Sequence, residues 1–94
     1  MKLVDFNEEY KKGTKLLFIK GAHCALCDAM LEKTLKELDP YTIDMTIIEL
    51  QDHPQIRGQY LIFSFPTMIL LEDGKEIARE SGYFDLSTIK RIIS

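Results

Sequence analysis

Cys24 and Cys27, separated by Ala25 and Leu26, are the only cysteines in the 94-residue sequence. Two thiols at this spacing can close a disulfide with each other, pass one to another protein, or hold a metal ion. A structural staple is the poorest use of them. The chain-entropy gain from so short a loop is only about 2 kcal/mol, against nearly 5 for a long one. A chain in need of a cross-link would do better to join distant segments. The pair therefore reads as chemical, and redox exchange needs one thiolate that attacks and a second thiol in reach to resolve the mixed disulfide.

What must position such a pair is the junction of a strand with a helix. Lys15-Leu16-Leu17-Phe18-Ile19, between Gly13 and Gly21, reads as a strand buried on both faces. From Cys24 to Leu38, Leu26, Cys27, Met30, Leu31, Leu35 and Leu38 recur at helical spacing between charged residues, and Asp39-Pro40 ends that helix. The first turn of a helix leaves N–H groups unpaired and carries partial positive charge. A thiolate at Cys24 is stabilised by both, so its pKa is expected below that of a free cysteine, with Cys27 one turn along.

The rest of the chain supplies a sheet. Tyr41 to Leu50 is rich in β-branched residues and reads as a strand parallel to the first. Asp52 and Pro54 offer a cap and a first-turn proline for a short helix to about Tyr60. Thr67 to Leu71 reads as a third strand, Asp73-Gly74 as a hairpin turn, and Glu76 to Ser81 as a fourth strand broken by Gly82. Asp85 or Ser87 caps a terminal helix whose Leu86, Ile89, Ile92 and Ile93 are expected to face the sheet. In residues 1–12, Leu3, Phe6 and Tyr10 allow a short helix, after a brief strand at most. The expected fold is α/β, a central mixed four-stranded sheet with helices on both faces, in a single domain over 1–94.

Composition narrows the function. Apolar residues make up 46% and charged residues 29%, a balance that excludes a disordered chain. Twelve Lys and Arg against fifteen Asp and Glu leave a net charge of −3. The densest basic cluster, Lys11, Lys12 and Lys15, is small and interleaved with acids, which argues against nucleic acid. No apolar run reaches the ~20 residues of a membrane span. Asp5, Glu8 and Glu9 fall where an export signal would need an apolar core, so a cytoplasmic location is expected. Met30, Met45 and Met68 fall at periodic apolar positions and read as core; Tyr83 and Phe84 read as packing or rim, and His53 as an exposed helix-start residue.

Pro66 lies about forty residues beyond the cysteine pair, after an aromatic segment and directly before a strand. With the motif upstream, Phe65-Pro66-Thr67, Asp73-Gly74 and Gly82 give the chain an order of features that resembles the thioredoxin family over residues 14–94. The resemblance implies a thioredoxin-like fold and a protein thiol–disulfide oxidoreductase that reduces substrate disulfides. It implies that Cys24 is the exposed nucleophile and Cys27 the more buried resolving thiol. Pro66 would be cis and lie beside the disulfide, with the backbone of Phe65 pairing with an extended substrate segment and His23 and Thr67 flanking it. Implied partners are proteins carrying disulfides, with a thioredoxin reductase or the glutathione system as reductant. No cofactor, metal, nucleic acid or membrane partner is implied, and the chain is expected to act as a monomer.

The chain departs from the family at three places. Typical members carry Trp-Cys-Gly-Pro-Cys, whereas this chain has His23-Cys24-Ala25-Leu26-Cys27. A protonated His23 would stabilise a Cys24 thiolate; a neutral one could only donate a hydrogen bond. The family's buried acid, six residues before the nucleophile, falls on Phe18. Asp28 stands where a basic residue is common, and its negative charge opposes thiolate formation.

Two rival readings stay open at the level of sequence. His23, Cys24, Cys27 and Asp28, with His53, are zinc-compatible ligand types. A copper-chaperone pattern would call for Met at position 22, which is Ala22, and for a terminal strand rather than a helix. Alternatively, Phe18 and the missing aromatic before Cys24 would suit an interaction module that keeps the fold and does little redox work.

Overall fold

A computed structural model describes all 94 residues, Met1–Ser94. Its strands are β1 (Lys2–Leu3), β2 (Thr14–Lys20), β3 (Asp44–Glu49), β4 (Thr67–Glu72) and β5 (Lys75–Ser81), and its helices α1 (Ala25–Glu37), α2 (Gln55–Tyr60) and α3 (Ser87–Ile93). Two 3-10 turns, Glu8–Lys11 and Leu50–Asp52, complete the chain. The sheet runs β1-β3-β2-β4-β5, parallel across β1, β3 and β2 and antiparallel from β2 to β4 to β5.

The sheet thus has five strands rather than the expected four. The extra one is Lys2–Leu3, whose residues pair with Asp44 and Met45 on the free edge of β3. Two residues are too few to show an alternating pattern, and Leu3 is half-exposed, so no periodicity betrays the strand. The helix allowed around Tyr10 is a 3-10 turn, started by Asn7, whose Oδ1 accepts the Glu9 N–H at 2.7 Å.

Strand alternation divides the apolar residues between two layers. Leu16, Phe18, Met45, Met68 and Leu70 pack with Met30, Phe84 and Ile89 under α1 and α3. Leu17, Ile19, Ile48, Ile69 and Leu71 pack with Tyr10, Ile56 and Tyr60 on the α2 side. Because β2 and β4 feed both layers, their apolar runs are nearly continuous, as the burial of Leu16 through Ile19 and Met68 through Leu71 shows. Phe18 meets Phe84 edge to face at 5.8 Å between ring centres. The three methionines assigned to the core are there, and so is Phe84, while Tyr83 is exposed.

Turn and cap chemistry fits the elements with three corrections. Asp73 and Gly74 both adopt positive φ between the paired residues Glu72 and Lys75, the two-residue turn that matches strand twist. The N-cap of α3 is Leu86, in left-handed conformation and without a side-chain cap bond, rather than Asp85 or Ser87. Asp85, one residue earlier, still accepts the Ser87 N–H at 2.8 Å and the Ser87 hydroxyl at 2.9 Å through Oδ1, and these bonds hold its carboxyl below the usual range. Nor does Asp52 cap α2: it ends the 3-10 turn, and α2 starts behind Pro54 with no side-chain cap. Ile92 also turns away from the sheet and is 41% exposed, because α3 is only seven residues long and presents Leu86, Ile89 and Ile93 inward. Lys90 ties α3 to α1 through Glu37 at 2.6 Å, and this bond lowers the Glu37 pKa.

Candidate active site

The register of β2 against β4 brings the two candidate motifs to one end of the sheet. Ile19 pairs with Thr67, so the segment leaving β2 toward Cys24 runs beside the segment entering β4 through Pro66. A third loop joins them: the Gly82 N–H, at a residue with φ of +72°, donates to the Pro66 carbonyl at 2.9 Å.

Cys24 occupies the N-cap of α1 in extended backbone conformation, and its Sγ accepts the Cys27 N–H at 3.1 Å. One orphan donor of the first turn is therefore aimed at the sulfur itself. Cys24 and Cys27 are joined by a disulfide with Cα atoms 5.2 Å apart. Their exposure differs: Cys27 is fully enclosed and Cys24 is partly open to solvent. His23 sits before the N-cap at φ of +52° and is exposed.

The Phe65–Pro66 peptide bond is cis, and Pro66 is buried. Thr67 is also enclosed; its hydroxyl donates to the Ser64 carbonyl at 2.8 Å and lies 3.4 Å from the Ser81 hydroxyl. Its side chain thus braces the loop from beneath. The Phe65 backbone N–H and C=O make no hydrogen bond within the protein.

Two residues that sequence reasoning passed over shape this site. Gly21 lies against the Phe65 ring so closely that a Cβ there would stand 2.9 Å from Cδ2. Nothing in the sequence marks that contact, since the partners are 44 positions apart and meet only through the β2–β4 pairing. Gly21→Ala is expected to keep the fold, push the Phe65 ring aside and slow client turnover several-fold. Steady-state reduction of a protein disulfide, beside a melting curve, checks it; unchanged turnover would show that the ring is free to yield. Lys20 is the other. Its Nζ lies 3.5 Å from Asp28 Oδ1 and 3.8 Å from Glu49 Oε1, on the Phe18 face of β2. The negative charge at Asp28 is therefore faced by a cation, and its opposition to a Cys24 thiolate is partly compensated. Strand alternation from Phe18 to Lys20 carried that signal.

The zinc-compatible residues do not converge: no group of three or more His, Cys, Asp or Glu side chains is placed to hold a metal ion. His53, read as exposed, is half-buried, with its ring edge-on to Phe6 at 4.6 Å. No helix is long and apolar enough to cross a membrane.

Similarity to known proteins runs nearly the length of the chain. No family model matches it. A thioredoxin of Chlamydia trachomatis serovar D is 34% identical over 92 residues, covering 96% of this chain and 89% of the relative. The structure of thioredoxin 1 from Thermosipho africanus superposes with a TM-score of 0.71 at 32% identity, over 84% of this chain and 89% of that one. A reduced Schistosoma mansoni thioredoxin pre-protein shares the fold at a TM-score of 0.81, over 99% and 96% of the two chains, with 14% identity. A third of the residues held in common across almost every element is decisive: the chain belongs to the thioredoxin family and is a thiol–disulfide oxidoreductase.

Proposed function

We propose that the protein works as a reductant of protein disulfides, with Cys24 as nucleophile, Cys27 as resolving thiol and the Phe65-Pro66 loop as the client's seat. One observation carries the assignment of roles: Cys24 is open at the helix N-cap with a backbone N–H directed at its sulfur, while Cys27 is sealed. In the reduced protein the same N–H and the helix terminus favour a thiolate on Cys24.

The reaction balances in two exchanges. The Cys24 thiolate attacks one sulfur of the client disulfide, forming a mixed disulfide and releasing the other client sulfur as a thiolate, which takes up a proton. Cys27 then loses its proton and attacks Cys24 Sγ. The Cys24–Cys27 bond forms, the mixed disulfide breaks, and the second client thiolate leaves. Two electrons pass from protein to client, and a reductase or glutathione returns the protein to the dithiol. The free N–H and C=O of Phe65 suit an extended client segment, which would pair there as an added strand residue. His23 stands on the solvent side of Cys24, and Thr67 holds the loop.

A reducing, cytoplasmic setting and action as a monomer complete this reading. Cysteine usage supports it, because the exchanging pair accounts for every cysteine and none remains to be oxidised as a structural bridge. The direction is tested by equilibrating the protein with glutathione buffers. A potential near or below that of glutathione, about −220 mV or lower, is expected; a value near about −120 mV, that of a strong periplasmic oxidant, would overturn the reductant role.

A further inference from the structure

Beside the cysteine loop lies a groove of about 310 Å³, whose floor and walls come from Gly21 and Ala22, from Leu50 and Pro54, and from Phe65. Two polar side chains reach it, Gln51 and Arg57. Arg57 is the only charged residue in the lining, and no carboxylate of the protein lies within 4.0 Å of it. Lys12, Lys15, Lys20, Lys33, Arg79 and Lys90 are each paired with an acid, while Lys2, Lys11, Lys36, Lys75 and Arg91 share with Arg57 the lack of such a partner. What sets Arg57 apart among these is its place in the groove.

The guanidinium is also held in place. Its Nη1 donates to the Ile62 carbonyl at 3.0 Å, and its central carbon lies 5.6 Å from the Phe65 ring centre. One of five donors is thereby used, and the planar fork is fixed over an aromatic face with the rest available. Neither Asp52 nor Glu49 lines the groove; Glu49 Oε1 faces Lys20 at 3.8 Å and its Oε2 accepts a hydrogen bond from the Gln51 side-chain amide at 3.0 Å.

We propose that this groove is a client subsite that selects an acidic side chain close to the client's reactive cysteine, with Arg57 as the residue that reads the charge. The proposal rests on the client seat described above. Ala22 is two residues before Cys24 and Phe65 immediately precedes Pro66, so a segment engaged with both passes along the groove. An Asp or Glu side chain entering it meets an oriented guanidinium without an acid partner, bordered by Leu50, Pro54 and Phe65. A lysine there would meet like charge, which supplies the discrimination.

The test uses the reduced full-length protein and symmetric peptide disulfides carrying Glu, Gln or Lys at one to three residues on either side of the cysteine. At low ionic strength kcat/KM is expected to favour Glu over Gln by about three- to fivefold at one or more of these positions. Arg57→Gln should abolish that preference, so that Glu and Gln peptides are reduced with equal kcat/KM whatever the change in absolute rate, and Arg57→Glu should turn it toward Lys; 0.5 M salt should flatten it. A preference that survives in Arg57→Gln, or a wild type that ranks Glu and Gln equally at every position, overturns the subsite. So does a response to Arg57 seen with glutathione disulfide alone, which would make the groove a small-molecule site. If wild type fails to reduce even the Gln peptides, the client seat itself is wrong and the subsite falls with it.

Discussion

Cys24→Ser is expected to bring turnover of a protein disulfide down to the uncatalysed background, whereas Cys27→Ser should stop after one exchange with the client still attached. The asymmetry follows from exposure and from what each sulfur touches. Cys24 is reachable from solvent and accepts the Cys27 N–H, so it can attack; Cys27 is sealed, and its first accessible target is Cys24 itself. A serine hydroxyl does not ionise near neutral pH and cannot replace the attacking thiolate. Mass spectrometry of reduced Cys27→Ser mixed with a disulfide client should find one client chain per protein, bound at Cys24 and released by dithiothreitol. Cys24→Ser, treated alike, should carry none. If Cys24→Ser captured the client and Cys27→Ser did not, the two roles would be reversed.

The features behind that experiment were legible in the sequence because they are local. A buried five-residue run, a helical repeat opening at a cysteine, and a proline entering a strand each declare themselves within a dozen positions. The hairpin at Asp73-Gly74 is equally local, since both residues tolerate the positive φ that its turn demands. What stayed hidden is set by register. The Gly21–Phe65 contact and the groove under Arg57 exist only once β2 and β4 have paired, and no periodicity reports them. The sequence allows a brief strand within residues 1–12, but that it joins the sheet as a fifth strand is set by its pairing with Asp44 and Met45. Asp52 misleads for a related reason: a good capping residue stands where the chain has already turned, so its side chain serves the wrong element. Ile92 follows the apolar pattern, but a two-turn helix has room for only one inward stripe.

Restoring the family's acid at position 18 is expected to destroy the fold rather than improve the chemistry. Phe18 has 0% exposure, lies edge-on to Phe84, and belongs to the cluster that includes Leu16, Met30, Met45 and Met68. Truncating such an aromatic costs about 3–5 kcal/mol, and an unpaired carboxylate in that space adds several more. Domains of this size commonly have about 5–15 kcal/mol in hand, so Phe18→Asp should leave little or no folded protein at pH 7. Phe18→Leu, which keeps most of the volume, should lose about 1 kcal/mol, or a melting shift of roughly 4–8 °C. The charge is separated from the cavity by comparison with Phe18→Asn. In the folded Asp variant the carboxyl would be held protonated, its pKa raised above the unfolded value of about 3.9. Its stability deficit should therefore be smallest in acid and grow as pH rises from there through the raised folded-state pKa, while the Asn variant stays level across the same range. Thermal melts of the three variants between pH 4 and 7 decide the matter. A Phe18→Asp protein melting within a few degrees of its parent at pH 7 would mean that the carboxylate had found water or a cation. Lys20, two residues along the same strand face, is the nearest candidate by register, and in that event the core beneath the cysteines would not be sealed. If instead the variant is lost as expected, packing at position 18 excludes a buried proton carrier there. The proton that leaves Cys27 during resolution must then pass to solvent or to a group nearer the surface, and Asp28, the next residue in α1 and paired with Lys20 at the end of β2, is one such charged group.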